Sequence, residues 1–301
     1  MKIALMIEGQ EDVTWDDWVA LAEACERSGI EALFRSDHYG SVLSDDERGS
    51  LDAWGTICAL AARTSTLRLG TMVSPSSFRH PSVLAKLVAT ADHVSGGRVS
   101  LGLGTGWSET EHTAYGFPFL SMKERMDVLE EQLEIIHEGH WHGGPFSFKG
   151  TYYELEELRA RPLPVQQPHP PLIMGGGAGP RAARLAARYA DEYNTVMPTL
   201  EEIAERKASI DAACAKAGRD PIPFTVMTGC VLGADQAEYE RRAAEYEALT
   251  GGAPSGLVGT VEQVKAQLAE YAVAGVSGVY LQHLVHRDIA MVELIGRELV
   301  G

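Results

Sequence analysis

The sequence predicts a (β/α)8 barrel, the TIM-barrel class of α/β folds with insertion segments. Short apolar runs of strand length alternate with amphipathic helical segments, eight such strands can be counted, and the unit repeats about every thirty residues. Parallel strands joined by right-handed crossovers follow from that alternation. With 301 residues and 45% hydrophobic content, the chain reads as a single domain over 1–301 with an insertion around 140–170. A doubly wound open sheet is the alternative arrangement of the same elements.

Lys2 to Glu8 is an apolar run of strand length, and Thr14 to Ser28 places Trp18, Leu21, Ala22 and Cys25 on one helical face, ended by Gly29. Glu31 to His38 repeats the strand and finishes on Arg35-Ser36-Asp37-His38, followed by a loop to about Ser50. Asp52 to Thr64 is the next helix, Arg68 to Pro75 the next strand, and Pro81 to His93 a helix opened by proline.

In Arg98 to Gly106, Val99, Leu101 and Leu103 alternate with Ser100, Gly102 and Gly104, which predicts a central strand that something large approaches closely. The glycine spacing is near a dinucleotide fingerprint, but Trp107 takes the place of its last glycine. The polar run Ser108 to His112 opens no apolar-periodic helix, so phosphate capture is not expected there.

Ser121-Met122-Lys123-Glu124 is a capping box, followed by an apolar stripe of Met126, Leu129, Leu133 and Ile136. His140 to Pro171 is long and irregular, and its aromatics Trp141, Phe146, Phe148, Tyr152 and Tyr153 predict an insertion packed over the barrel. The alternation resumes with strand Pro171–Gly177, helix Pro180–Ala190, strand Glu192–Met197, a helix capped at Thr199 and strand Phe224–Leu232. Helices near Gln236–Leu249 and Val261–Ala274 precede the final strand Gly278–Leu284 and a helix from about Asp288 to Leu299.

A formal charge of −16 without a basic cluster argues against a nucleic-acid partner. No stretch has the length of an apolar membrane span, and MKIALMIEG enters a strand directly, so neither a membrane partner nor a signal peptide is expected. The four cysteines form no C-x-x-C pair, which predicts neither a zinc knuckle nor a disulfide framework and suits a reducing cytoplasm.

Barrel chemistry sits on loops at the C-terminal ends of the strands. That rule selects Asp37 and His38, Thr71 to Ser74, Gly104 to Glu111, Gly175 to Gly177, Met197, Thr228 to Cys230 and Gln282 to His286. Gly175-Gly176-Gly177-Ala178-Gly179-Pro180-Arg181 joins a strand to a helix, so its N–H groups and helix end suit a phosphate, with Arg181 as the pairing cation. A flexible turn is the bland reading of the same glycines. His38 titrates near neutrality and suits proton transfer, with Asp37 positioning it or meeting a polar ring edge. Glu109, Glu111 and His112 follow Trp107, offering an acid and an aromatic wall or simply a solvated loop. His140-x-His142 and His283-x-x-His286 lack a third ligand at diagnostic spacing, so no metal is expected.

At these residues the chain resembles the luciferase-like monooxygenase superfamily and, within it, the branch of oxidoreductases that use the deazaflavin coenzyme F420. The motifs are Ser36-Asp37-His38, LGTMVSP from Leu69 to Pro75, FRHPSVLAK from Phe78 to Lys86, SGGRVSLGLGTGW from Ser95 to Trp107, and GGGAGPR from Gly175. The resemblance implies a ring laid across the C-terminal mouth and a nonprolyl cis peptide at Met72-Val73 beneath it. His38 would lie near the reactive ring carbon and Asp37 on the ring edge. The implied cofactor-binding set is Ser36, Asp37, Thr71, Met72, Val73, Gly104, Gly106, Gly175, Gly176, Gly177 and Arg181, and the catalytic set is His38 and Asp37, with Glu109 taken as the acid and Glu111 as its alternative. One departure is Trp107, which stands where sugar-phosphate dehydrogenases of this branch carry glutamate.

The function expected is therefore F420-dependent hydride transfer with a small, uncharged organic substrate. A reduced-FMN-dependent monooxygenase and a non-catalytic flavin or deazaflavin carrier are the alternatives, and the resemblance implies a homodimer. Substrate choice is expected to rest on the loops Tyr39–Ser50 and His140–Pro171 and on side chains around His283 and His286.

Overall fold

A computed structural model of the protein describes residues 1–43 and 48–300. Part of the Tyr39–Ser50 loop, residues 44–47, thus lies outside the described residues. Eight parallel strands close on themselves: β1 (Lys2–Ile7), β2 (Ala32–Arg35), β3 (Arg68–Thr71), β4 (Val99–Gly104), β5 (Leu172–Gly175), β6 (Glu192–Val196), β7 (Phe224–Gly233) and β8 (Gly278–Gln282). Each pairs with the next, and β8 returns to β1 with Met6 opposite Gln282. The open-sheet alternative is excluded by that closure.

Alternation along each strand divides the core into two layers. Ile3, Leu5 and Ile7 of β1 point outward into the large cluster shared with the helices. Ala4 and Met6 point inward, with Ala32, Phe34, Ile173, Met227 and Tyr280, to fill the barrel. Phe34 and Tyr280 meet edge to face at 4.9 Å, plugging the interior.

Helix starts are set by local chemistry. Ser121 and Thr199 form the expected capping boxes, and Thr14 with Asp17 and Thr260 with Gln263 form two more. Proline opens the helix Pro81–Ser95.

Four departures from the sequence reading have physical causes. Ser108 caps a short helix, Glu109–Tyr115, in the run that lacks apolar periodicity. A four-residue strand, Leu257–Thr260, is too short to register as a pattern and pairs with the far half of β7, Cys230 to Gly233. The insertion is ordered as a π-helical turn, Ile135–Trp141, and an antiparallel hairpin of Phe146–Lys149 with Glu154–Leu158. Its Trp141 is buried, whereas Phe146, Phe148, Tyr152 and Tyr153 are only half-buried, because the hairpin shelters one face.

The large group that approaches β4 proves to be the neighbouring chain. A Cβ on Gly102 would lie 2.0 Å from the Thr71 carbonyl oxygen, and one on Gly104 would lie 2.8 Å from Val73 Cγ2. The exit from β3 therefore rests directly on β4, and the Met72-Val73 peptide within it is cis. Among the described residues, no helix is long and apolar enough to cross a membrane, and all four cysteines are free thiols.

Candidate active site

A cavity of about 400 Å³ opens at the C-terminal mouth of the barrel, and every barrel strand contributes to its wall. Glu8 follows β1, Ser36 and His38 follow β2, Met72, Val73 and Pro75 follow β3, and Gly104 to Trp107 end β4. Gly175 and Gly176, Asn194 and Val196, Met227 and Gln282 complete the circle. The floor is apolar at Met72, Val73 and Met227, and the rim is polar.

His38 is fixed by a carboxylate from another strand. Its Nδ1 lies 2.7 Å from Glu111 Oε2, while the Tyr39 N–H donates to Glu111 Oε1 at 2.5 Å. Ser108 caps the short helix and so turns Glu111, not the exposed Glu109, toward His38. Burial disfavours the imidazolium, but the hydrogen bond and charge of Glu111, aided by Glu8 and Asp37, outweigh it and raise the His38 pKa above its ordinary value. For Glu111, burial is likewise outweighed by His38 and the Tyr39 and Gly40 N–H groups, so its pKa falls. With Nδ1 engaged, Nε2 is the ring nitrogen left for proton exchange. Trp107, 65% exposed, stands edge-on to His38 with ring centroids 5.5 Å apart.

Asp37 supports this wall from behind. It is buried, its carboxylate accepts from Arg79 Nη1 at 2.6 Å and from Ser74 Oγ at 2.5 Å, and it takes no part in the cavity lining. A second network crosses the seam of the barrel: Gln282 and Gln10 both donate to Glu8, at 2.5 and 2.9 Å, and Ser36 Oγ donates to Gln10 at 2.5 Å. Opposite, Asn194 donates to Thr225, but its buried Oδ1 has no hydrogen-bond partner among the described residues.

The glycine turn after β5 differs from the other helix starts. Gly176 has a φ of 140°, and the helix Pro180–Tyr189 begins at Gly179 with no side-chain cap. Its first N–H groups are thus left for an external acceptor, with the favourable end of the helix dipole behind them.

The family model described as luciferase-like monooxygenase matches residues 2–254. The chain belongs to that family. An FMNH(2)-dependent dimethylsulfone monooxygenase of Pseudomonas putida is 33% identical over 81% of this chain and 65% of its own length. An F420-dependent hydroxymycolic acid dehydrogenase of Mycobacterium tuberculosis is 32% identical over 92% of this chain and 77% of its own length. Among solved structures, the monooxygenase RslO1 of Streptomyces bottropensis superposes with a TM-score of 0.84 at 23% identity, covering 100% of this chain and 99% of that one, which shows the shared fold.

In this luciferase-like chain, Ser36, His38, Met72, Val73, Gly104, Gly106, Gly175 and Gly176 converge on one cavity. Thr71 is buried below it, bonded to the Gly102 carbonyl, and Gly177 is exposed beside it. Three expectations need correction. Asp37 is an Arg79 partner rather than a ring-edge group. Glu109 points to solvent, and Glu111 takes the place expected for it. Arg181 is held by Asp127 at 2.6 Å and Glu130 at 2.7 Å and does not line the cavity, so its charge is already matched. His283 and His286 are buried away from the lining. Gln282, selected by its strand end, lines the cavity, and Glu8 and Asn194 were the missed residues; strand-end position alone was the signal for Glu8, and nothing in the sequence marks Asn194.

Proposed function

We propose that the chain is a coenzyme F420-dependent oxidoreductase that moves a hydride between the deazaflavin and a small, uncharged organic substrate. The observation that carries this reading is the His38–Glu111 pair on the wall of a cavity whose opposite side is the uncapped glycine turn. The residues present suit such a cofactor: an apolar floor at Met72 and Val73, an unpaired acceptor at Asn194 Oδ1, and backbone donors at Gly177 and Gly179 for a phosphate, those of Gly176 and Ala178 being committed to the Asn194 carbonyl and the Tyr193 hydroxyl. When bound, the deazaflavin ring supplies hydride exchange at its C5. His38 holds the proton at Nε2 and delivers it to, or takes it from, the substrate oxygen, while Glu111 fixes the ring and stabilises its charged form. Trp107, edge-on to His38, supplies an apolar wall beside that exchange.

The F420-dependent relative is aligned over 92% of this chain, more than the 81% of the FMNH(2)-dependent one, which supports the deazaflavin. The second reading, a reduced-FMN-dependent monooxygenase, is favoured by the slightly higher identity of that monooxygenase. Absorbance titration of the purified protein with each cofactor tests the choice. Saturable F420 binding and reduction of bound F420 by an alcohol or its equivalent are expected; tight FMN binding without F420 binding would select the second reading. The same proposal places the enzyme in the cytoplasm as a homodimer, the latter checked by light scattering.

A further inference from the structure

Far from the cavity, the π-helical turn brings together residues that the sequence keeps ambiguous. The Met122–Glu134 helix runs back from the catalytic mouth, so the following segment 135–142 lies near the starts of β5 and β6. His137 Nδ1 lies 3.2 Å from one Glu138 oxygen, and His142 Nδ1 lies 3.7 Å from the other. The ligand-capable atoms of these three residues all fall within 4.8 Å of one another. A third imidazole, His169, stands 4.9 Å from His137, centroid to centroid, stacked on Trp141. His140, the histidine that the sequence spacing pairs with His142, is buried and turned away.

We propose that His137, Glu138 and His142 form a binding site for a divalent transition-metal cation of the zinc class, at the end of the barrel opposite the active site. Two imidazoles and one carboxylate match the borderline character of such ions. With ligand bonds of about 2.0–2.2 Å, donor atoms in a tetrahedral shell stand about 3.4 Å apart, so closure requires shifts on the order of 1 Å. His142 and Glu138, with side chains 57% and 40% exposed, are free to make them. The His142 Nδ1 contact to the His137 carbonyl, at 2.7 Å, holds the ring beside the Glu138 carboxylate, and Nδ1 exchanges that contact for the ion. A helix C-terminus and the chain's −16 charge both favour a cation here. Water fills the fourth position, and the site's role is to brace the π-helical turn.

Untagged full-length protein, stripped with a chelator and dialysed, is titrated with Zn2+ by calorimetry, and thermal unfolding is followed with and without the ion. The expected result is one equivalent bound and a higher unfolding midpoint. His142→Ala, at an exposed position, should weaken binding roughly 100-fold or more, given that losing an outer-shell partner alone costs about 10- to 100-fold. His93→Ala, an imidazole elsewhere on the surface, should leave it unchanged. Absence of saturable binding, or binding equally strong in His142→Ala, overturns the proposal.

Discussion

His38 and His283 follow β2 and β8 onto the same rim and end in opposite states. His283 is buried and His38 half-buried, yet the His38 pKa is raised by the Glu111 carboxylate, whereas burial pushes His283 down to about 4. Around His283 the only polar support is the Asp288 carbonyl oxygen at 3.3 Å and its carboxylate nearby, and Nδ1 has no partner among the described residues. A place at a strand end therefore does not make a proton carrier. A carboxylate at hydrogen-bond distance and an opening to the cavity are what set His38 apart.

The sharpest way to break this comparison is to remove each ring. His38→Ala is expected to lower turnover by about two to four decades, the range for a positioned acid or base, with cofactor affinity nearly intact. His283→Leu should change turnover less than about threefold; single-turnover rates on both variants decide, and equal losses would erase the distinction.

Next in size is Glu111→Gln, which keeps a hydrogen-bond acceptor but removes the charge. In the wild type, a rate that needs protonated His38 persists above the ordinary imidazole pKa of 6.5 and falls as pH rises through the raised value. In the variant that limb should move to lower pH and the rate at neutral pH fall about tenfold, which a pH–rate profile reads directly.

A separate effect concerns stability in acid. The folded His283 pKa lies below its unfolded value, so the fold is favoured by the neutral ring. This contribution is complete above pH 6.5 and is lost as pH falls toward about 4, on the order of 3 kcal/mol in total. Denaturant titrations between those limits should show a shallower loss in His283→Leu than in the wild type. His38 has the reverse sign: its contribution is complete below pH 6.5 and declines as pH rises through its folded pKa.

The smallest change is expected from Arg181→Gln. Its partners Asp127 and Glu130 are partly exposed, so stability should fall by less than about 1 kcal/mol. Because the guanidinium is committed to them, cofactor affinity should change less than about threefold; a larger loss would restore the phosphate role.

The barrel was legible because its signals are local: alternating apolar positions in β1 and β4, and capping residues at Ser121 and Thr199. The site was legible wherever strand ends and glycines mark it, as at His38 and Gly175. What stayed hidden was partner choice across the fold. Glu109 and Glu111 are equivalent as letters, and only the phase of a seven-residue helix decides which one faces inward. Asp37 and Arg79 are separated by 42 positions, and no local pattern ties them together.

The contact between the β3 exit and β4 links the sizes of residues on two strands. The Thr71 carbonyl fills the volume that a side chain at position 102 would need, and Val73 fills that at 104, so the shape of the cavity floor is a joint property of positions 73 and 104. Coordinated exchange, smaller at 73 and larger at 104, opens a route to re-contouring the floor.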